Sequence, residues 1–529
     1  MTVTTSYPGI YIQELPSLVH TITPAPTSIA VFVGYTNPFY ANTQYQTALQ
    51  LFSFADYQAN FGGFFSCPWQ PDYVGQAVFQ FFQNGGPTCY VVALQALNYY
   101  DSTGTALGQI GAANVSFQVS GGSITFTALQ PVGVSAAAPA TGTVGIPMAV
   151  AFSNPVNDAA DIVISYATTV ETYRKVQIAN LVSTLQISGL VKATVSGPPT
   201  AYPGTGSYPL SYDSLAPGQI APVLSSTVIS SVDFGQIFEQ FKSLDKVPIF
   251  NLLAIPGVTD PLVTSEAVAY CERKRAFYIV DTPSSELSGW DVNSIVDDLD
   301  QSTALSPAPP ASINAAVYYP WLQTADPITG KPMLMPPSGY VAGIYGQTDS
   351  AQGVWQSPAG LQTTLLGTTG VDAKGVMTDP QQGILNLNSI NCLRQFPGIG
   401  APVVFGARTT AATNPSFQQW KYLAVRRMAL FIEQTLYNNL GWAVFQGNST
   451  PLWNALTQEV TAFMLSLFRQ GAFAGDTPKT AFVVQCDGTT TTDQDVANGT
   501  VNILVGFAPL LPAEFVVVKI AQLAGQTQS

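Results

Sequence analysis

The chain has 529 residues, a length typical of two to four domains. Only 9% of its residues are charged while 47% are hydrophobic, and charge depletion of this kind is typical of surfaces that other subunits cover. The net charge of −13 argues against general nucleic-acid binding. No apolar run is long enough for a membrane span, and the five cysteines, which include no CxxC pair, are typical of reduced thiols in a protein made in the cytoplasm.

The first 22 residues form a short arm. A turn signal at Tyr7-Pro8-Gly9 precedes residues 10–15, which have the composition of one strand. A single strand is unstable alone, so this one needs a partner. Pro24 and Pro26 are expected to detach the arm from the next segment of the chain.

An α/β pattern fills residues 23–98 and returns at 230–372. Buried strands are predicted at 29–34, 89–94, 249–254 and 276–280, and helices at 72–84, 234–243 and 265–275. Between the two parts, residues 99–229 are rich in Gly, Ser and Thr, with alternating runs at 115–119, 123–127 and 190–195. This composition predicts a mainly β insertion.

The last part, residues 373–529, differs in charge from the rest. It holds 9 Lys+Arg and 8 Asp+Glu among residues 374–529, whereas residues 1–373 hold 9 and 23. A first helix is predicted at 415–440, with Asn414 as its N-cap and Gly441 at its end. A second helix is predicted at 450–471, and three strands follow at 480–486, 500–506 and 514–523. The second helix has one apolar face, formed by Leu452, Leu456, Val460, Phe463 and Leu467.

The first of these helices has two distinct faces. Its apolar stripe contains Phe417, Ala424, Val425, Met428, Phe431, Ile432 and Leu436. The opposite face contains Tyr422, Arg426, Leu430, Glu433 and Tyr437, with Arg427 and Gln434 on its flank. A solvated face is the simpler explanation, but the mixture of Tyr, Leu and Arg favours a surface that contacts a partner.

The final strand is apolar and strongly β-forming. It is predicted to lie at a sheet edge, where main-chain hydrogen bonds can join one chain to another. Pairing of the first and last strands within their own chain is the alternative.

The sequence offers no catalytic, cofactor or metal site. Its one histidine, His20, lies in the arm, and no P-loop, GxGxxG or HExxH motif occurs. The acidic residues Asp291, Asp297, Asp298 and Asp300 do not follow EF-hand spacing and fit a solvated helix face better. Two other classes, an enzyme with a β accessory domain and a capsid or adhesin subunit, have no motif in their support.

Ordered motifs along most of the chain resemble the contractile tail sheath family, which covers phage tails and phage-like contractile injection systems. The stretches before residue 373 are YPGIYIQE at 7–14, TSIAVFVG at 27–34, AVYYPW at 316–321, PPSGYVAG at 336–343 and GVWQSPAG at 353–360. Those after it are GART at 406–409, WKY at 420–422, VRR at 425–427, IEQ at 432–434, AP at 508–509 and PAEFVV at 512–517. The insertion shows no match.

The resemblance implies an α+β, multidomain protein. Its domains would be a linking arm (1–22), a middle sheath domain (23–98 and 230–372), a variable β-rich outer insertion (99–229) and a C-terminal sheath domain with a linking strand (373–529). Such a subunit is not an enzyme. It stacks in rings around an inner tube in a metastable extended state, then contracts to drive the tube through an envelope. A phage tail sheath and an injection-system sheath remain alternatives.

The resemblance also implies partners and contact residues. Partners would be other copies of the chain, an inner tube protein, and baseplate and terminator proteins, with no nucleic acid and no membrane insertion. Assembly would take place in the bacterial cytoplasm, as part of a particle that is either released or attached to a membrane. The expected tube contacts are Lys421, Tyr422, Arg426, Arg427 and Glu433. The expected inter-subunit strands contain Ile10, Tyr11, Ile12, Gln13, Glu14, Phe515, Val516, Val517, Val518 and Lys519.

Overall fold

The computed structural model describes residues 21–37, 40, 43–65, 71–94, 98–100, 106–109, 113–129, 134–135, 143–144, 147–166, 168–210 and 231–519. The predicted strand at 10–15 lies outside these residues. The chain divides into two compact units, which we call the sheet unit (27–426) and the terminal unit (1–26 with 427–529). The boundary expected at residue 373 therefore falls inside the sheet unit.

An eight-stranded sheet forms the centre of the sheet unit. Its strands, in spatial order, are Ala48–Leu51, Cys89–Leu94, Ala30–Tyr35, Leu252–Ala254, Phe277–Asp281, Ala315–Tyr319, Ile390–Arg394 and Val403–Phe405. The six inner strands are parallel and the two outer ones antiparallel. Every residue of Ala30–Tyr35 is buried, as expected for a parallel strand covered on both faces.

Helices accompany these strands. They are Phe54–Phe61, Tyr73–Gln83, Ser231–Phe238, Pro261–Lys274, Val292–Asp300, Ser338–Gln352 and Asp379–Leu387. Two of them, Tyr73–Gln83 and Ser338–Gln352, approach each other closely. A Cβ atom added to Gly339 would lie 2.6 Å from the Cα of Ala77, so only glycine allows this approach. The strands and helices predicted in this unit are confirmed, with bounds shifted by up to five residues.

The insertion has a hydrophobic core of its own. One antiparallel sheet contains Thr169–Gln177, Ala159–Tyr166, Met148–Val156 and Gly206–Pro209, and a second contains Val191–Ser196, Gly122–Ala128 and Asn114–Val119. Side chains from both sheets share one cluster, in which the rings of Phe126 and Phe152 lie 5.6 Å apart. The mainly β composition is therefore confirmed. Short strands also occur at Asn98–Tyr100, Ala106–Gln109, Val134–Ser135 and Thr143–Val144, and a small helix at Leu181–Thr184.

A small antiparallel sheet lies elsewhere in the sheet unit, with strands Pro332–Met335, Leu322–Ala325 and Gly370–Val371. Short 3₁₀ turns complete this unit at Ile178–Asn180, Leu185–Ile187, Leu244–Lys246 and Ala373–Gly375.

The predicted helix at 415–440 is wrong in its bounds. The structure has a 3₁₀ segment at Pro415–Trp420, an α-helix at Leu423–Asn439 and a second 3₁₀ segment at Leu440–Ala443, which includes Gly441. Asn414 does cap the first segment, since its Oδ1 accepts from the amide of Ser416 at 3.0 Å. The helix is interrupted because two backbone groups near residue 422 pair outside it. The Lys421 carbonyl accepts from the Thr409 amide, and the Leu423 amide donates to the Ala407 carbonyl.

The remaining elements of the terminal unit are Thr450–Arg469, Pro478–Ala481, Phe482–Gln485, Asp493–Ala497 and Leu504–Phe507. The helix Thr450–Arg469 buries all five residues of its predicted apolar face. The first two strands predicted after it are present in shorter form. The third is not, because residues 510–519 form no strand in the described part of the chain. None of the described helices is both long and apolar enough to cross a membrane.

Candidate interaction surfaces

The side chain of Arg426 is held within the sheet unit. Its Nε donates to the Oδ1 of Asn314 at 2.7 Å, and its guanidinium lies 5.0 Å from the ring centroid of Trp420. Asn314 is fully buried and its Nδ2 donates to the Ala276 carbonyl at 3.1 Å, beside the strand Phe277–Asp281. These contacts tie the first turn of the helix Leu423–Asn439 to the central sheet.

One residue of the predicted outward face, Leu430, and one on its flank, Arg427, are buried. Arg427 is only 3% exposed and Leu430 only 6%, although the helical period places Leu430 opposite the apolar stripe. Phe417, expected in that stripe, is instead 40% exposed because it precedes the α-helix. The outward surface of this helix is therefore narrower than the sequence indicates.

Glu433 and Tyr437 are the predicted residues that reach the surface of the terminal unit. Both are exposed and lie one helical turn apart. In the sheet unit, Lys421 and Tyr422 are half-buried, with the Lys421 ammonium 5.0 Å from the Tyr422 ring centroid. An acidic residue beside an exposed aromatic ring is suited to a polar contact with a partner.

A two-stranded ribbon forms a second surface. Phe482–Gln485 pairs antiparallel with Leu504–Phe507, and Val483 and Leu504 expose about half of their side chains. The ring of Phe473 supports the ribbon from 5.7 Å away, at Phe507. Within the described residues this sheet has no third strand, and a two-stranded ribbon alone is marginally stable in water. Both of its edges are therefore suited to accept a strand from another chain.

The apolar segment after the ribbon has no regular secondary structure and is exposed. Phe515, Val516, Val517 and Val518 are each 73–83% exposed. Four consecutive exposed apolar residues are unusual on a folded protein and indicate a segment that is covered in an assembly.

Two buried carboxylates stabilise the helix pair of the sheet unit. Asp72 accepts from the Gly75 amide at 3.0 Å, and burial raises the pKa of its carboxyl to about 7. Asp281 accepts from the amide and the hydroxyl of Ser338, and burial raises its pKa to about 6. Each carboxylate thus caps one helix. Among the described residues, no three His, Cys, Asp or Glu side chains converge as metal ligands.

Sequence reasoning missed the partners that fix these surfaces. Asn314 lies 112 residues before Arg426, and no local pattern pairs them. Asn439 and Thr435 hydrogen-bond to residues more than 400 positions earlier. The one signal in the sequence is that Thr435 follows Met428 and Phe431 at helical spacing, so a polar side chain lies on the apolar stripe, where the structure buries it.

The fold is similar to that of known proteins. Residues 243–410 match the family model of the phage tail sheath protein central domain. A prophage major tail sheath protein of Pseudomonas aeruginosa (strain UCBPP-PA14) is 25% identical over 270 residues, which are 50% of this chain and 62% of that protein. The match therefore spans less than two thirds of that relative's own length.

Solved structures extend the similarity to almost the whole chain. The sheath of an extracellular contractile injection system, PVC, in its contracted state is 22% identical, with a TM-score of 0.58 and coverage of 98% of this chain and 99% of that one. The helical sheath of the anti-feeding prophage in its contracted state is 22% identical, with a TM-score of 0.56 and coverage of 98% and 100%. A sheath tail protein of Desulfitobacterium hafniense is 14% identical, with a TM-score of 0.54 and coverage of 90% and 93%.

The chain thus has the mixed α/β fold of contractile sheath proteins. Within that fold it contains a region similar to the phage tail sheath protein central domain. The resemblance drawn from its motifs is confirmed.

Proposed function

We propose that this chain is the structural sheath subunit of a contractile tail-like injection machine. The observation that supports this most is the similarity of 98% of the chain to injection-system sheath subunits. A phage tail sheath is the second candidate, and the prophage relative supports it. In either case the subunit stacks in rings around an inner tube, joins a baseplate, and contracts to move the tube through an envelope. Its role is structural, not enzymatic.

The tube contact is assigned to the helix Leu423–Asn439 and the residues before it. The proposed set is Lys421, Tyr422, Arg426, Arg427 and Glu433. Because Arg427 is buried and Arg426 is bonded to Asn314, we give these two arginines the role of holding the helix in place. The direct polar contact is then made by exposed Glu433, with Lys421 at the edge of the surface.

The lattice contact is assigned to strand addition. The ribbon of Phe482–Gln485 and Leu504–Phe507 would receive strands from neighbouring subunits at its edges. The donors are residues 10–14 of one neighbour and residues 515–519 of another. Each main-chain hydrogen bond contributes about 0.5–1.5 kcal/mol net, so a few bonds per subunit hold a polymer of many copies together.

The energy of contraction would come from the assembled state. No nucleotide motif is present in the sequence, so the extended polymer must be kinetically trapped above a better-packed contracted one. Strand-exchanged arms would serve as hinges that keep subunits connected while the other interfaces slide.

The test is sedimentation of the full chain, produced alone and together with a candidate inner tube protein. Tubular polymers visible by negative-stain microscopy, in the presence of tube, would support the proposal. A soluble monomer under both conditions would contradict it. A capsid or terminase gene nearby would then favour the phage tail, and an AAA ATPase gene without them the injection system.

A further inference from the structure

The chain just after the N-terminal arm lies against the helix Leu423–Asn439. The amide of Thr23 donates to the Oδ1 of Asn439 at 2.9 Å, and the Nδ2 of Asn439 donates to the Thr23 carbonyl at 2.9 Å. The amide of Ala25 donates to the Oγ1 of Thr435 at 3.0 Å. Two side chains of one helix therefore bind three backbone groups of an extended segment.

The spacing of the two partners matches. Extended chain of the polyproline type rises about 3.1 Å per residue, so Thr23 and Ala25 are about 6 Å apart along the chain. Four residues of an α-helix also rise about 6 Å, which is the separation of Thr435 and Asn439. The segment runs antiparallel to the helix, with Thr23 at Asn439 and Ala25 at Thr435.

The prolines of this segment fit the same arrangement. Pro24 and Pro26 have no amide donor and hold the backbone extended. The residue before each proline, Thr23 and Ala25, does have an amide donor, and both amides are bonded to the helix. The boundary between the two units falls directly after Pro26, as expected if these prolines detach the arm from the next segment of the chain. The bonds to the helix keep the root of the arm within the terminal unit.

Burial strengthens the contact. Thr435 is fully buried, Ala25 is 7% exposed and Ile22 is 9% exposed. The Nδ2 of Asn439 also donates to the Thr435 carbonyl at 2.8 Å, which fixes the orientation of the amide. The bond between Ala25 and Thr435 is buried, so its backbone amide would be left without a partner and without water if the bond were lost. The two bonds between Thr23 and Asn439 are exposed and are therefore less costly to break.

We infer that Thr435 and Asn439 form an anchoring site for the root of the N-terminal arm. The site binds backbone and not side chains, and it connects the arm to the helix that we assign to the inner tube. Resting on the proposed function, the inference adds that a pull on the arm by a neighbouring subunit is transmitted to this helix. The two are then positioning residues for the lattice.

Hydrogen exchange of the full chain tests the anchor directly. The variants are Asn439→Leu and Thr435→Val, which keep the approximate size of each side chain. Their control is Asn438→Leu on the same helix, because Asn438 hydrogen-bonds to Gln434 and not to the segment. Losing these bonds should accelerate exchange at Thr23 and Ala25 by about tenfold, whereas the control leaves it unchanged.

The second readout is the polymer. Sheaths of Asn439→Leu should fragment under shear that leaves wild-type and Asn438→Leu sheaths intact. Unchanged exchange at Thr23 and Ala25 would overturn the anchor, and accelerated exchange with normal sheath strength would overturn its role in the lattice. Exchange is measured on the chain itself, so a wild-type chain that never polymerises would refute the proposed function without affecting this result.

Discussion

Arg426 and Asn314 form a hydrogen bond of 2.7 Å that joins the first turn of the helix Leu423–Asn439 to the central sheet. The charged donor satisfies a fully buried amide, whose own donor is used by the Ala276 carbonyl. Because its guanidinium is bonded to a buried side chain of its own chain, Arg426 is poorly placed to contact a partner. The contact gives Arg426 a role in maintaining the fold, so the proposed contact with the tube is left to other residues of the surface.

Replacing Arg426 with Met should therefore destabilise the fold. The Asn314 amide loses a charge-assisted partner, which costs about 1.5–3 kcal/mol in the free energy of unfolding. Urea denaturation of the purified variant and of the wild type measures this change in the free energy of unfolding. A change below about 0.5 kcal/mol would show that the bond has no structural role.

Reversing the charge of Glu433 should affect assembly and not the stability of the fold. Because Glu433 is exposed, Glu433→Lys should change the unfolding free energy by no more than about 0.5 kcal/mol. It should nevertheless prevent sheath from forming around tube. Glu239→Lys, at an exposed glutamate of the sheet unit, is the matched control. Normal tube-filled particles from Glu433→Lys would contradict the tube assignment.

Gly339 and Gly383 offer a matched pair of helical glycines. A Cβ atom at Gly339 would meet the backbone of Ala77 at 2.6 Å, whereas one at Gly383 meets nothing within 4 Å. Gly339→Ala should lower the unfolding free energy by about 1–3 kcal/mol. Gly383→Ala should raise it by about 0.4–1 kcal/mol. Equal melting temperatures for the two variants would refute the close helix contact.

The buried carboxylate of Asp72 predicts a dependence of stability on pH. Its pKa is raised to about 7 in the folded chain, from 3.8, so the folded state binds the proton more tightly. Stability from this group is complete below pH 3.8 and is lost as the pH rises through about 7. Asp72→Asn, which keeps an acceptor for the Gly75 amide, should flatten the fall in melting temperature between those values. An unchanged profile would contradict this assignment.

The apolar tail predicts a variant that is folded but cannot assemble. Val517→Pro removes one backbone donor, and Val517→Thr keeps it. Since Val517 is 78% exposed, both variants should melt like the wild type. Sedimentation should show polymer for Val517→Thr and monomer for Val517→Pro. Polymer from both would mean that the tail pairs with no neighbour.

Much of the fold could be predicted because its signals are local. The strand Cys89–Leu94 has the predicted bounds, and the helix Tyr73–Gln83 begins at the Asp72 cap and ends at Asn84 as predicted. The strands of the insertion could be predicted for the same reason. Alternating apolar and polar residues indicate a strand with one buried face.

The predictions that failed depend on contacts between distant segments. The helix predicted at 415–440 is interrupted because residues 421 and 423 bond to 409 and 407, which no helical period reveals. Helical periodicity placed Arg426 and Leu430 on an outward face. In the structure Arg426 is hydrogen-bonded to Asn314, and Leu430 is buried by tertiary packing. The strand predicted at 514–523 is absent over residues 514–519, because β-propensity alone forms no strand without a partner strand, and residues 520–523 lie outside the described residues.

Helical reconstruction by electron cryomicroscopy, from particles of the full chain assembled with its tube protein, tests the central claim most directly. We expect stacked rings in which residues 515–519 of one subunit lie beside Phe482–Gln485 or Leu504–Phe507 of another, with Glu433 facing the tube. A reconstruction in which residues 515–519 pair within their own chain, or preparations that contain no tubular polymer, would contradict it.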